Sequence, residues 1–304
     1  MTEFLPKVKS LGRGEEARLH CAEVYFIEGK YDQAIAECRT ALEHSSGTGS
    51  AELMLAHIYV VQGAYQAAMK ACLDATAANP KLDQAHILLG KIYSDQGRYH
   101  EAIGAFRTAL EISPENDAVH YLLGAIFFET GQWDDAIAAL HSALKINPQL
   151  DTAHYRLANI FLVQGKEDEA LEQVEQALRI RPTFKSHELL GDIYFSRGEF
   201  KSALAEYREG MQILPEYDTL HWKIGKVLIE VGEFWLAIIE LREALKLNDN
   251  PATTHFLLGR AYCGVGEWEQ ASRQYKAALA IDSVYREARE ALDEILPRLK
   301  PTQA

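Results

Sequence analysis

Six histidines occupy one fixed place in a recurring frame: His86, His120, His154, His187, His221 and His255. A regular row of imidazoles could do chemistry, and that chemistry would be metal binding. The spacing argues against it. Successive members are 33 or 34 residues apart and fall on different helices, whose axes would lie roughly 8–10 Å from one another. Four nitrogens at about 2.0–2.1 Å from one zinc cannot be gathered from such a row. The rings are better read as half-buried and packed at a seam between helices. The four cysteines, Cys21, Cys38, Cys72 and Cys263, are far apart and form no CxxC or Cys/His cluster. They are expected in core or wall slots, where a thiol acts as a small hydrophobe. There is no HExxH, no glycine-rich phosphate loop after a strand and no nucleophile elbow. Acidic pairs and lone serines fall on solvated helix faces. No catalytic residue, metal site or cofactor is expected, and the chain is not read as an enzyme.

The elements that carry these residues show a stronger pattern. Asp83 to Asn116 reads as two amphipathic segments around a glycine turn, closed by Pro114. The turn glycine recurs as Gly29, Gly63, Gly97, Gly131, Gly165, Gly198, Gly232 and Gly266. A helix that stops and reverses needs a residue that tolerates positive φ. Five residues later an alanine always follows, from Ala34 to Ala271. Seven residues before the turn stands Ala22, Ala56, Gly90, Gly124, Ala158, Gly191, Gly225 or Gly259. Small residues at both places let paired helices approach closely, with large residues on the flanks. Within the template, Leu89-Gly90, Tyr93, Gly97, Tyr99, Ala102, Phe106, Ala109 and Pro114 fall at the spacings of the tetratricopeptide repeat (TPR), which the chain resembles over about nine tenths of its length.

That resemblance implies an all-α TPR solenoid: a right-handed superhelix of eight helix-turn-helix repeats with a C-terminal capping helix. The repeats are expected at 15–48, 49–82, 83–116, 117–150, 151–183, 184–217, 218–251 and 252–285, after an N-terminal extension of residues 1–14. Residues 286–304 form the capping helix and tail, with Ala288, Leu292 and Ile295 as an apolar stripe ended by Pro297. The joint His44–Ser50 reads HSSGTGS and lacks proline, so the first repeat is expected to dock less firmly than the others. Asp83, Asp117, Asp151 and Asp218 open first helices, where a carboxylate meets unpaired N–H groups.

The 304 residues carry a formal charge of −13. Such a surface argues against a nucleic-acid partner and against docking to an acidic membrane. No run of apolar residues is long enough to span a bilayer. The start, MTEFLPKVKS, lacks the apolar core of a signal peptide, so a cytoplasmic location is expected.

The resemblance further implies that first helices line a concave groove for partner segments. Carrying groove positions onto this sequence selects Tyr121, Phe128, Tyr155, Asn159, Phe195, Trp222, Lys226, Phe256 and Arg260 as a peptide-binding wall of aromatics with polar anchors. A clamp for a C-terminal carboxylate, known in some TPR domains, does not fit. Trp222 and Phe256 stand at its lysine sites, and Glu188 and Asp192 would repel such a ligand. The expected function is a non-enzymatic scaffold or adaptor holding a peptide or helix of a protein partner. The alternative is a self-assembling structural protein. For it, the seventh repeat offers Trp235, Leu236 and Ile239 on the convex side, where other repeats are polar. Such a patch would make a homo-dimer.

Overall fold

The computed structural model describes residues 13–43, 47–215, 218–247 and 251–299. Among these there are seventeen α-helices and no strand. The chain divides into two compact units, residues 1–153 and 154–304. The first holds α1 (Arg13–Ile27), α2 (Tyr31–Glu43), α3 (Ser50–Val61), α4 (Tyr65–Ala78), α5 (Asp83–Asp95), α6 (Tyr99–Ile112), α7 (Asp117–Glu129) and α8 (Trp133–Ile146). At the boundary begins α9 (Asp151–Val163), and the second unit continues with α10 (Glu167–Ile180), α11 (Phe184–Ser196), α12 (Phe200–Ile213) and α13 (Asp218–Glu230). It closes with α14 (Phe234–Leu247), α15 (Pro251–Gly264), α16 (Trp268–Ile281) and α17 (Arg286–Leu299).

Within the first unit α1 packs on α2, α3 on α4, α5 on α6 and α7 on α8, and α2 packs on α3, α4 on α5 and α6 on α7. The second unit repeats this scheme in α11·α12, α13·α14 and α15·α16, with α17 against α16. The turn that makes each hairpin is visible at Gly97, which has φ +71°. Its N–H donates to Ser94 O at 2.9 Å and the Arg98 N–H donates to Tyr93 O at 2.8 Å, satisfying two carbonyls that the helix end would otherwise leave open. All eight turn glycines have φ between +71° and +81°.

The small-residue rule resolves into a size exchange across each hairpin. Where the first helix carries glycine, the residue sixteen positions later is large: Gly90 faces Phe106, Gly124 faces Leu140 and Gly225 faces Leu241. A Cβ on those glycines would stand 2.6, 2.7 and 2.5 Å from the opposing side chain. Where the first helix carries Ala22, Ala56 or Ala158, the opposing residue is Cys38, Cys72 or Val174, and all six are fully buried. The fixed alanines from Ala34 to Ala271 are fully buried as well.

Three sequence expectations change. Pro297 does not end α17, which runs to Leu299 with Pro297 in its last turn. The lost N–H costs only a bond to the carbonyl of Asp293, on the exposed face. Cys21 is exposed rather than set in a core or wall slot, whereas Cys38 and Cys72 are buried and burial pushes each thiol up to about 12. The joint after α2 is not loose where it is described. Thr48 is buried, its Oγ1 donates to Glu15 Oε1 at 3.1 Å, and its carbonyl accepts from Asn79 Nδ2 at 3.2 Å. Residues 44–46 of that joint, like residues 1–12 of the extension, lie outside the described residues.

Candidate functional site

The histidine row is a set of seam contacts. His154 Nδ1 lies 2.8 Å from Gln173 Oε1, His187 Nδ1 2.8 Å from Glu206 Oε2, His221 Nδ1 2.8 Å from Glu240 Oε2, and His255 Nδ1 2.7 Å from Gln274 Oε1. Each partner is nineteen residues on, across the hairpin. Where that place holds Ala105 or Ala139, the ring turns to a proline carbonyl instead: His86 Nε2 to Pro80 O at 3.3 Å and His120 Nε2 to Pro114 O at 3.1 Å. Earlier frames keep the logic. Arg18 pairs with Glu37 at 2.9 Å, whereas Glu52 faces Ala71's place and leaves Oε2 buried without a hydrogen bond. Burial, and then the nearby Glu15 and Asp74, raise the Glu52 pKa. Among the described residues no three His, Cys, Asp or Glu side chains converge as metal ligands.

The groove candidates lie on first helices. In the first unit Tyr121 and Phe128 are half-buried on α7, and the Phe128 ring meets Trp133 edge-on at 5.5 Å. In that unit Leu19 and Leu53, at the same register as Tyr121, are fully buried and belong to the core. His57 lies on α3 at the register of Lys91; burial, and then the Lys91 charge, lower its pKa to about 4, so the ring is neutral at pH 7.

The second unit brings more of the candidates together. Tyr155 and Asn159 share α9, and Asn159 Nδ2 donates to the Tyr155 carbonyl at 2.8 Å. On α13, Lys226 places Nζ 4.2 Å from the centre of the Phe195 ring of α11, a cation held on an aromatic face. Phe256 stacks at an angle between Tyr275 and Tyr285, at 5.9 and 5.2 Å, and Arg260 pairs with Glu230 at 3.2 Å. Phe256 and Arg260 also line a cavity of about 530 Å³ together with Cys263, Trp268, Tyr275 and Arg298.

Lys223 belongs to this face and sequence reasoning missed it. Its Nζ lies 2.7 Å from Glu188 Oε1 and 2.7 Å from Asp192 Oδ2, and the Tyr207 hydroxyl donates to Asp192 Oδ1 at 2.7 Å. Burial pulls the ammonium pKa down, but Asp192 and Glu188 outweigh it and hold it above the ordinary lysine value. Burial and then Asp192 push the Tyr207 phenol up. The two carboxylates expected to repel an acidic ligand are therefore partly neutralised. On the outer face of α14, Trp235, Leu236 and Ile239 are 62%, 46% and 57% exposed.

A family model described as "Cilia and flagella-associated protein 70 C-terminal domain" matches residues 14–189, one described as "TPR repeat" matches 191–232, and one described as "Tetratricopeptide repeat" matches 254–292. Curated proteins yield no match. Similar folds include YrrB, described as a TPR protein with an unusual peptide-binding site, at 20% identity and a TM-score of 0.56, covering 62% of this chain and 98% of that one. A TPR protein from Parabacteroides merdae is 17% identical with a TM-score of 0.59, over 82% of this chain and 98% of its own. The Cut9–Hcn1 hetero-tetramer of the APC/C gives 17% and 0.61, over 97% of this chain and 58% of the compared chain. No helix among the described residues is long and apolar enough to cross a membrane.

Proposed function

We propose that this chain, which belongs to the tetratricopeptide-repeat family with the cilia and flagella-associated protein 70 C-terminal domain model spanning residues 14–189, is a non-enzymatic scaffold for a peptide or helix of a partner protein. The partner would lie along the first helices of the second unit, and the scaffold would work in the cytoplasm. One observation carries the reading: half-buried aromatic side chains and cations share that face, with Phe195 under Lys226, Trp222 beside Lys223, and Phe256 and Arg260 at an open cavity. Large rings that are already ordered lose little entropy on binding, and cations among them fix the orientation of an acidic segment. YrrB is described with a peptide-binding site, but at its low identity the proposal stands on this chain's own side chains.

The test uses peptides selected from a displayed random library against the full chain. Trp222→Ala is expected to weaken a selected peptide at least about tenfold while leaving helicity unchanged, because truncating an aromatic anchor typically costs ~2 kcal/mol or more. Binding that survives Trp222→Ala combined with Phe256→Ala would place the site elsewhere.

A second reading, self-assembly, is favoured by the exposure of Trp235, Leu236 and Ile239 on one side of α14. Apolar side chains grouped on a helix face mark protein contacts, and a self-complementary patch makes a two-fold dimer. Sedimentation at matched concentration should then show a dimer for the wild type and a monomer for Trp235→Asp/Leu236→Glu. A monomeric wild type removes the patch as a self-association site, and so does a double variant that stays dimeric.

A further inference from the structure

We propose that the cavity between α15, α16 and α17 is an anchor pocket for an aromatic or long aliphatic side chain of a partner peptide that carries an aspartate or glutamate beside it. The proposal rests on the groove reading above and names the chemistry of its ligand.

The pocket exists because the last hairpin departs from the frame of the others. At the place of Cys263 every other frame except that of Ser94 carries a larger side chain, among them Phe128, Leu162, Phe195 and Ile229, and at the place of Gly264 the nearer frames carry Glu129, Val163, Ser196 and Glu230. Two adjacent positions have thus lost bulk on the wall of one helix. The Phe234 ring occupies the room that a side chain at Gly264 would need, since a Cβ there would collide with it. The bulk missing at Cys263 is not refilled, and about 530 Å³ stays open. That is within the range of roughly 300–1,000 Å³ typical of pockets that enclose a ligand. It is more than one aromatic side chain fills, so neighbouring atoms of a peptide also fit.

Its walls choose the ligand. Phe256, Trp268 and Tyr275 present ring surface, and Ile229 and Ile295 complete an apolar floor. The polar groups are placed for one anion. Arg298 lies with its guanidinium carbon 4.3 Å from the centre of the Trp268 ring, and among the described residues no carboxylate lies within ion-pair distance of it. Arg260 is held by Glu230 at 3.2 Å. Glu294 also lines the cavity, and with Arg260 already paired the Arg298 guanidinium is the one placed to meet an added anion. A guanidinium stacked on an indole keeps its N–H edge outward, which suits bidentate contact with a carboxylate. An apolar side chain in the hollow with a carboxylate at the rim satisfies both.

The same library selection tests this separately from the groove reading. Enriched peptides should share an aromatic or long aliphatic residue with an acidic residue within about one turn or three extended positions. Cys263→Phe, which restores the bulk of the other frames, should weaken them at least about tenfold, and Cys263→Ala should leave them within about twofold. Arg298→Glu should weaken them by a similar factor, but not once the peptide acid is changed to its amide. Should Cys263→Phe fold poorly, a Cys21→Ser chain provides the readout, because bound peptide should slow alkylation of Cys263 at least about tenfold. Enriched peptides without the acidic–apolar pair overturn the proposal, and so does unchanged binding to Cys263→Phe or an unchanged alkylation rate. A free aromatic acid such as phenylpropionate binding as tightly as the peptides would replace the peptide with a small molecule and overturn it too. If no peptide is enriched at all, the groove reading falls and this one with it.

Discussion

Gly90→Ala is expected to destabilise the chain by about 2 kcal/mol, although alanine is the better helix former. On an open helix the exchange gains up to about 1 kcal/mol, because glycine gives up more backbone entropy on folding. At Gly90 the new Cβ would stand 2.6 Å from Phe106 Cε1, 2.8 Å from Cδ1 and 3.0 Å from Cζ. Phe106 is fully buried, so its ring would have to shift against packed neighbours. Overpacking of this kind costs about 1–3 kcal/mol and occasionally more. The same hairpin supplies the control. Gly104 lies on α6, and nothing comes within 4 Å of a Cβ built there, so Gly104→Ala should stabilise by up to about 1 kcal/mol. Phe106→Val reproduces the pairing of Ala158 with Val174, and in that background Gly90→Ala should turn neutral or stabilising. Urea midpoints of the four chains of this cycle decide it. A Gly90→Ala chain as stable as the wild type would show that steric exchange does not set the choice of glycine here.

That exchange shows what could be read from residues alone. The turn at Gly97 was legible because a reversal at positive φ admits little but glycine, and the fixed alanines were legible because close helix approach admits little but small side chains. The pairing of large with small across a hairpin was written in the sequence at a spacing of sixteen, and the partners of the histidines at a spacing of nineteen. Both rules need two positions compared at once, whereas a frame read one position at a time shows only that each is occupied. Cys21 was misplaced because its register matches Leu89, and register alone does not fix exposure in the first hairpin. The exposure of Trp235 depends on a side-chain rotamer as well as on register, so the broken polar pattern of α14 raised the question without answering it. The cavity was harder still. It consists of bulk that is missing at Cys263, and a pattern search looks for residues that are present. Lys223 escaped for a different reason. It stands one position past the row that ends in Trp222 and Phe256, and only its long stem carries the ammonium back to α11.

Removing that ammonium should have the other large effect. Lys223→Met keeps most of the stem's volume and deletes the charge between Glu188 and Asp192, four residues apart on one face of α11. The Lys223 and Glu188 side chains are only 13% and 16% exposed, so the remaining carboxylates would face each other with little water to screen them. Breaking a fully buried pair costs about 3–5 kcal/mol. Asp192 is 41% exposed, which lowers the expected loss to about 2–3 kcal/mol at pH 7. The pH dependence separates charge from packing. In the wild type the raised lysine pKa gives a contribution that is complete below the unfolded lysine value of about 10.4 and is lost only as pH climbs through the folded value. The deficit of the variant should therefore shrink as pH climbs through that folded value, where the wild type loses the same charge. Adding Glu188→Gln and Asp192→Asn to Lys223→Met should recover most of the loss at pH 7, because neutral amides can bond each other and still accept from the Tyr207 hydroxyl. A deficit that stays constant as pH climbs from 7 through the folded lysine value, or that the amide pair does not recover, would assign the loss to packing of the lysine stem. Peptide binding supplies the functional half: with Glu188 and Asp192 no longer neutralised, peptides bearing an acidic residue near Trp222 should lose affinity while their amide forms hold it. Charge balance at Lys223, rather than the mere presence of two carboxylates, then decides which ligands this face of the second unit accepts.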